Sequence, residues 1–310
     1  MSSKFDVLGV GACAVDEIYR LPAWPSPDGR DKLRVTRHQQ SPGGQTATAM
    51  AACAAAGLRA AWAGTLGNDA RGALVRDALE ARGVDTAAAI VRDAPCPYAV
   101  ILVDDTRGER VVLWDRAPAL RLRPGEVPDA RLREARLVHV DDVDEEAALD
   151  VAARARAAGR PVTSDIEHVG PNTRALVAAV TVPIFAEHVA EALTGEADPE
   201  RALRALRRDH DGLLCVTRGR RGAAVLDGDA WHEAPAPAVD AVDTTGAGDD
   251  FRGAFIAALL AGATPERIMA VAVAAAAESC TREGAIPGVP EPGTMRALLD
   301  SVRDDRPRPG

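Results

Sequence analysis

Lysine is nearly missing from this sequence: Lys4 and Lys32 are the only two, and the other strongly basic residues are all arginine. A Gly-x-x-x-x-Gly-Lys-Ser/Thr phosphate loop, whose lysine reaches the β- and γ-phosphates, is therefore excluded. Any nucleotide must be held by another device. Aromatic residues are scarce too, at 3% against 47% apolar overall, so the core has to be filled by Ala, Val and Leu. No apolar run is long and unbroken enough to span a bilayer. The start, Met1-Ser-Ser-Lys-Phe-Asp, lacks the apolar stretch of a signal peptide, so a cytoplasmic protein is expected. A formal charge of −9 argues against a general nucleic-acid binder, which presents a basic face. Cys13, Cys53, Cys96, Cys215 and Cys280 are odd in number and nowhere in a Cys-x-x-Cys pair, and they read as reduced thiols. The histidines, from His38 to His232, show no metal-ligand spacing.

What remains is a chain of 310 residues, enough for one large α/β domain. Phe5 to Gly11 reads as a buried first strand, and Ala14 to Pro22 as an alternating one, followed by a turn-rich stretch to Gly29. Thr46 to Leu58, nearly all small residues, predicts a helix packed closely on a sheet. Residues 60–67 predict one further strand and 72–82 a helix. Tyr98 to Val103 and Arg110 to Trp114 flank the turn Asp105-Thr-Arg-Gly-Glu, a hairpin signal. From Leu137 the rhythm alternates: strands at 137–140, 161–165, 182–186 and 212–217, helices at 145–158, 172–180 and 199–208. Strands separated by helices of this length imply a parallel sheet covered on both faces. The hairpin and the Asp16 strand break that rhythm and read as a small β-sheet lid. The tail from Arg303 to Gly310 is charged and proline-rich, and a frayed end is expected there.

The chemistry concentrates at Asp243-Thr-Thr-Gly-Ala-Gly-Asp249-Asp-Phe-Arg-Gly-Ala-Phe. Gly246 and Gly248 allow a tight turn and close approach to a ligand. The apolar positions Phe251, Ala254, Phe255, Ala258 and Leu259 then mark an amphipathic helix. The amides of Gly246, Ala247 and Gly248 thus sit at a helix N-terminus, which attracts anions and can hold a transferring phosphate without lysine. Asp249, in the first turn, can accept a hydroxyl proton. The plainer alternative is a strand–turn–helix with a capping aspartate, which does not account for so specific a string.

At this string the sequence resembles the ribokinase (pfkB) family of carbohydrate kinases, over nearly the whole chain. The resemblance implies a three-layer α/β/α sandwich with a mostly parallel central sheet and a small β-sheet lid. It implies a single kinase domain over 1–302, with lid segments at about 13–41 and 95–116. Gly43-Gly44-Gln-Thr-Ala-Thr48 is similar to the family's N-terminal signature, whose diglycine backs onto the sugar; Thr48 stands where many members have Asn. Asp16 falls where members carry a sugar-binding aspartate, Ala14 where ribokinase has a paired asparagine, and Asp141 where relatives place a sugar-contacting Glu. Thr217, Gly219 and Gly222 are similar to the ATP loop. The Asn-x-x-Glu motif that organises magnesium and phosphate would fall at Ala186–Val189, where both anchors are lost and Glu187 remains nearby. Ketohexokinase-like and sulfofructose-kinase-like members look most similar, through Phe185-Ala-Glu-His and Cys280-Thr-Arg-Glu-Gly-Ala-Ile-Pro. The second of these segments resembles a monovalent-cation loop, implying donors at Asp243, Thr245, Ser279, Arg282, Gly284 and Gly288, mainly through backbone carbonyls; two ordinary turns are the bland alternative.

Two weaker signals have blander readings. Gly9-Val-Gly11-Ala-Cys-Ala14 resembles a dinucleotide fingerprint, but a strand rather than a helix follows it. The acidic run from Asp141 to Glu146 could be a metal cluster or simply a helix start with favourable acids.

The resemblance implies an enzyme that binds a sugar beneath the lid and phosphorylates one hydroxyl with ATP and Mg²⁺, with K⁺ as a further cation. The charge and the lack of a long apolar run point to no nucleic-acid or membrane partner, and the resemblance implies a homodimer formed through the lid. Members that act on anionic sugars carry basic side chains at the far end of the sugar. Sulfofructose kinase has an arginine where Val143 stands here, in an acidic loop. Arg30 in the lid and Arg116 after the hairpin remain and could reach an anionic group, with solvated lid arginines as the blander reading. A neutral ketohexose or pentose is therefore expected, with a nucleoside kinase, an anionic-sugar kinase or a non-catalytic sugar sensor as alternatives.

Overall fold

A computed structural model describes residues 3–25, 32–106 and 109–301. Arg30, the end of the turn after β2, part of the Asp105–Glu109 turn and the 303–310 tail lie outside the described residues. In chain order the strands are β1 Phe5–Val10, β2 Ala14–Leu21, β3 Arg37–Gly43, β4 Ala60–Ala63, β5 Thr65–Gly67, β6 Ile90–Arg92, β7 Tyr98–Asp104, β8 Arg110–Asp115, β9 Ala135–Asp141, β10 Val162–Asp165, β11 Ile184–Ala186, β12 Leu214–Thr217, β13 Ala223–Asp227 and β14 Ala230–Ala234. The helices are α1 Gln45–Ala55, α2 Ala70–Ala81, α3 Asp129–Glu134, α4 Glu145–Ala157, α5 Thr173–Ala179, α6 Glu187–Thr194, α7 Pro199–Leu206, α8 Ala247–Leu260, α9 Pro265–Ser279 and α10 Pro292–Ser301.

The central sheet runs β4-β1-β9-β10, all parallel, and continues through the bridges Thr163↔Val182 and Ile166↔Phe185 into β11-β12-β13-β14. The last two strands run antiparallel. Side chains alternate between two cores, as the period of two along a strand requires. Val7, Cys215 and Val225 point to one core with α1, α8 and α9, while Leu8, Val216 and Leu226 join α4–α7 on the other face. Three layers result.

The alanine-rich composition has a geometric purpose. A Cβ at Gly253 of α8 would lie 2.4 Å from the Ala52 Cβ of α1, so these helices touch almost backbone to backbone. Larger side chains would force them apart and move the start of α8.

The lid is the four-stranded sheet β3-β2-β7-β8, in which β2 and β7 pair in parallel and the outer pairs are antiparallel. Register puts Ser41, Asp16, Ala99 and Trp114 in one row on the same face. On the opposite face Glu17 accepts from Gln40 at 2.9 Å and pairs with Arg71 of α2 at 3.0 Å, anchoring the lid to the main domain. Burial pushes the Glu17 carboxyl up, but Gln40, His38 and Arg71 outweigh it and hold it below its ordinary value.

Some boundaries differ from the sequence expectation. The stretch 60–67 is two strands, β4 and β5, broken at Gly64, where a side chain would strike the Gly11 carbonyl at 2.3 Å. The strand expected at 182–186 starts only at Ile184, after Pro183, which has no N–H to give a ladder.

Candidate active site

The α8 start is built by its own turn. Asp243 Oδ1 accepts from the Thr245 N–H at 2.9 Å and the Thr245 hydroxyl at 2.7 Å, closing a side-chain turn. Gly246 caps the helix at φ 81°, a left-handed conformation glycine adopts without a Cβ penalty. A Cβ on Gly246 would also lie 3.0 Å from the Ala285 Cα. The Ala247 N–H donates back to Thr244 at 3.3 Å. This leaves the Gly248 and Asp249 amides among the donors a helix start does not satisfy internally. No side chain caps this end. An arriving phosphate oxygen therefore meets N–H groups and the positive end of the helix.

Asp249, at 9% exposure, sits in the first turn behind these amides. Burial drives its carboxyl well above the usual range; Arg252 opposes that shift, while Glu167, Asp250 and Asp141 add to it. A raised carboxylate is a better proton acceptor, provided it is ionised at working pH.

Gly43 and Thr48 pack against the same turn. Gly43 stands against Ala285, where a Cβ would lie 2.8 Å from the Ala285 Cβ. Gly44 has φ 102° and would strike Cys13 backbone at 2.4 Å if it carried a side chain. Thr48 is fully buried, and its hydroxyl has no hydrogen-bond partner among the described residues. It lies beside both Gly43 and Gly246. A buried hydroxyl without a partner is costly, which makes it a candidate to bind a polar ligand group. Asp16 is pushed up to about 6, first by burial and then by Asp243, with Arg110 pulling the other way. Arg110, which sequence reasoning did not single out, therefore acts electrostatically on both Asp16 and Asp243.

Asp141 is placed differently from a free sugar ligand. Its Oδ2 accepts from the Ala12 N–H and the Thr46 hydroxyl, both at 2.6 Å, and Oδ1 from the Val143 N–H at 3.2 Å. It ties the end of β9 to α1, and burial raises it to about 6. Arg116 is likewise engaged, donating to both Asp144 oxygens at 2.9 and 2.5 Å and to the Leu120 carbonyl at 2.7 Å. Beside this pair opens a cleft of about 290 Å³ lined by Asp142, Asp144, Glu145 and Glu146, with His168 and Arg121.

After β12, Arg218 to Gly222 form a closed turn, with the Arg218 N–H donating to the Gly222 carbonyl at 2.8 Å. Gly219 has φ 54° and Gly222 φ 84°. A side chain at Gly222 would collide with the Ala234 carbonyl at 2.0 Å. Thr217 donates to the Phe185 carbonyl at 3.2 Å, and Glu187 is ion-paired with Arg221. Among the described residues, no group of three or more His, Cys, Asp or Glu could hold a metal ion. In the acidic run from Asp141 to Glu146, Asp144 is the N-cap residue of α4, and Glu145 and Glu146 fall in its first turn.

The proposed cation loops do meet. Asp243 Oδ2 accepts from the Gly284 N–H at 2.9 Å, and the Val242 and Asp243 N–H groups donate to the Cys280 carbonyl at 2.8 and 3.2 Å. Burial pushes the Asp243 carboxyl up, but the Gly284 and Thr245 donors outweigh it and hold it low. Gly288 packs against the Gly284 carbonyl, where a Cβ would lie at 2.2 Å. The Ser279 hydroxyl donates to the Ala276 carbonyl at 2.9 Å, and Arg282 donates to Glu278 at 3.0 Å.

Residues 6–292 match the sequence profile of the pfkB family carbohydrate kinases. The chain belongs to this family. It is 32% identical over 290 residues to the ATP-dependent ribose-1-phosphate kinase of Halopiger xanaduensis, covering 90% of this chain and 93% of that one. It is 26% identical to the nucleoside kinase of Methanothermobacter thermautotrophicus, over 94% and 95% of the two chains. Arabidopsis thaliana ribokinase complexed with ribose and ATP shares the fold, with a TM-score of 0.84 at 24% identity over 96% of this chain and 99% of that one. As a pfkB carbohydrate kinase the protein is a phosphotransferase. No helix among the described residues is long and apolar enough to cross a membrane.

The sequence motif did not disclose Arg252, Asp165 or Glu167, which stand beside Asp249. The available signal was an arginine inside the otherwise apolar α8, together with acids where β10 ends, the edge at which parallel α/β sheets bind ligands.

Proposed function

We propose that this kinase transfers the γ-phosphoryl group of ATP to a hydroxyl of a neutral sugar, with Asp249 as the base. The carrying observation is the convergence of Asp249, the free amides of α8 and the Gly43–Thr48 segment at one helix start. Phosphoryl transfer asks the protein mainly for positioning and charge stabilisation. Gly248 and its neighbours face the phosphate, Thr48 and Asp16 hold sugar hydroxyls, and Asp249 takes the proton. The Gly219–Gly222 turn and Thr217 line the nucleotide. Magnesium supplies charge neutralisation between the phosphates. It is usually held by phosphates and water rather than by a protein cage. The kinase domain is assigned to 1–302.

A neutral acceptor is favoured because Arg116 is already neutralised by Asp144 and the adjoining cleft is acidic. A phosphate there would meet like charge. Arg110, near Asp16, and the ribose-1-phosphate kinase relative support a second reading, a sugar phosphate. The test compares kcat/KM for ribose, fructose and nucleosides with that for ribose 1-phosphate and fructose 6-phosphate. A neutral sugar is expected to lead. A leading sugar phosphate would replace the first reading by the second, and sugar binding without turnover would indicate a sensor.

The clamped Asp243 and Gly284 loops leave backbone carbonyls to receive a monovalent cation beside the α8 amides. Activity in K⁺ is expected to exceed that in Na⁺ at equal ionic strength, and equal rates would remove the site.

Trp114, 76% exposed, and Val112 form an uncovered apolar strip on the outer lid strand. A second copy docked lid to lid would cover it. Sedimentation velocity is expected to show a dimer that Trp114→Ser weakens; a monomeric parent protein would contradict this.

A further inference from the structure

Arg252 is 1% exposed, one of the largest fully buried side chains in the molecule. It lies one helical turn beyond Asp249, on the same helix. Its guanidinium fills the place where a Gly248 side chain would stand: Nη1 is 2.6 Å from an ideal Cβ there. A side chain at Gly248 would therefore collide with Arg252. Nη2 is ion-paired with Asp165 and lies 3.7 Å from Glu167. Neither the Arg252 nitrogens nor the Asp165 oxygens otherwise meet a hydrogen-bond partner in good geometry among the described residues. A buried arginine held only by charge is expensive to keep in place. Its position therefore calls for a role beyond packing.

We infer that Arg252 is a positioning residue for phosphoryl transfer, its guanidinium held by Asp165 against the Gly248 turn so that Asp249 stays ionised in its buried place. The inference rests on Asp249 being the base. The acids that bear on Asp249 and its neighbours are Asp141 and Asp142 at the end of β9, Asp165 and Glu167 at the end of β10, and Asp250 on α8. His139 of β9 and Cys215 of β12 also face the guanidinium. Burial and the Arg252 charge keep His139 neutral, with its ring low at about 3. Arg252 is thus the cation that opposes the carboxylates around Asp249. An adjacent opposite charge lowers a carboxyl by about 1–3 units.

The test is the pH profile of kcat/KM for the sugar at saturating MgATP in Arg252→Gln and Arg252→Lys. Loss of the cation raises the Asp249 midpoint, so the acidic limb of the Gln variant is expected about 1–2 pH units higher, with rate recovered at high pH. The Lys variant, which keeps the charge, is expected between the parent protein and Gln. A Gln limb that coincides with the parent's, only scaled down at every pH, would overturn the inference. Should the Gln variant lack a cooperative melt, Arg252→Met, which fills the same volume without charge, decides: a limb displaced upward supports the role, and an unmoved one overturns it. Asp249→Asn separates the two readings. Full turnover in that variant defeats the base assignment itself, whereas lost turnover with unmoved Arg252 profiles defeats only the inference.

Discussion

Asp249→Asn is expected to lower kcat by about 10²- to 10⁴-fold, the range typical of a lost general base. The amide cannot take the acceptor proton, yet it keeps the shape of the carboxyl and the α8 turn. ATP binding should therefore change little. Folding should not suffer, because burial already disfavours the ionised carboxyl and the neutral amide removes that cost. The pH dependence has a definite sign. Since the folded-state value of Asp249 is raised, protonation occurs at higher pH than for a free aspartate. The parent's kcat/KM should then fall as pH drops through that raised value. Steady-state kinetics with a thermal melt measures all three. Turnover within a few-fold of the parent's would remove Asp249 from the mechanism.

Asp16→Asn should separate function from stability. An ionised Asp16 gives charge-assisted hydrogen bonds to sugar hydroxyls, and losing them is expected to raise the sugar KM about 10- to 100-fold, with the ATP KM little changed. In the sugar-free enzyme the same charge is a burden, because its carboxyl is pushed from 3.8 up to about 6. A raised carboxyl favours the folded state below its unfolded value and loses that advantage as pH rises through the folded one. The Asn variant should therefore be more stable than the parent by about 2 kcal/mol at pH 7, allowing for its part exposure to solvent. That gain should shrink as pH falls from 6 to 4. Melting curves at pH 7 and pH 4.5 check it. A variant less stable at pH 7 would contradict the buried-charge burden, and an ATP KM that moves as far as the sugar KM would mean that Asp16 does not face the sugar.

The readable parts of this protein were those governed by local rules. Gly246 and Gly248 ahead of an amphipathic stretch disclosed the helix start, and the spacing of helices and strands disclosed the parallel sheet. The β13–β14 hairpin, with Asp227-Gly228-Asp229 at its turn and φ 55° at Gly228, carried a turn signal of the same kind that went unread. Other features depend on distant partners. Asp141 reads only by resemblance as a sugar contact, while Ala12 and Thr46, far away in sequence, both donate to one of its oxygens. Arg116 reads from the sequence either as a solvated arginine or as an anion ligand, and its ion pair with Asp144 depends on a partner 28 residues away. Arg252 sat inside the motif, yet its meaning came only from Asp165, which the fold brings to it across two chain segments.

The most direct test of the central claim is to follow the label from γ-³²P-ATP with the purified protein, Mg²⁺ and a panel of neutral sugars. The account predicts label appearing in a sugar phosphate ester, dependent on the sugar and lost in Asp249→Asn. Label released only as inorganic phosphate, or ester formed equally well without Asp249, would contradict it.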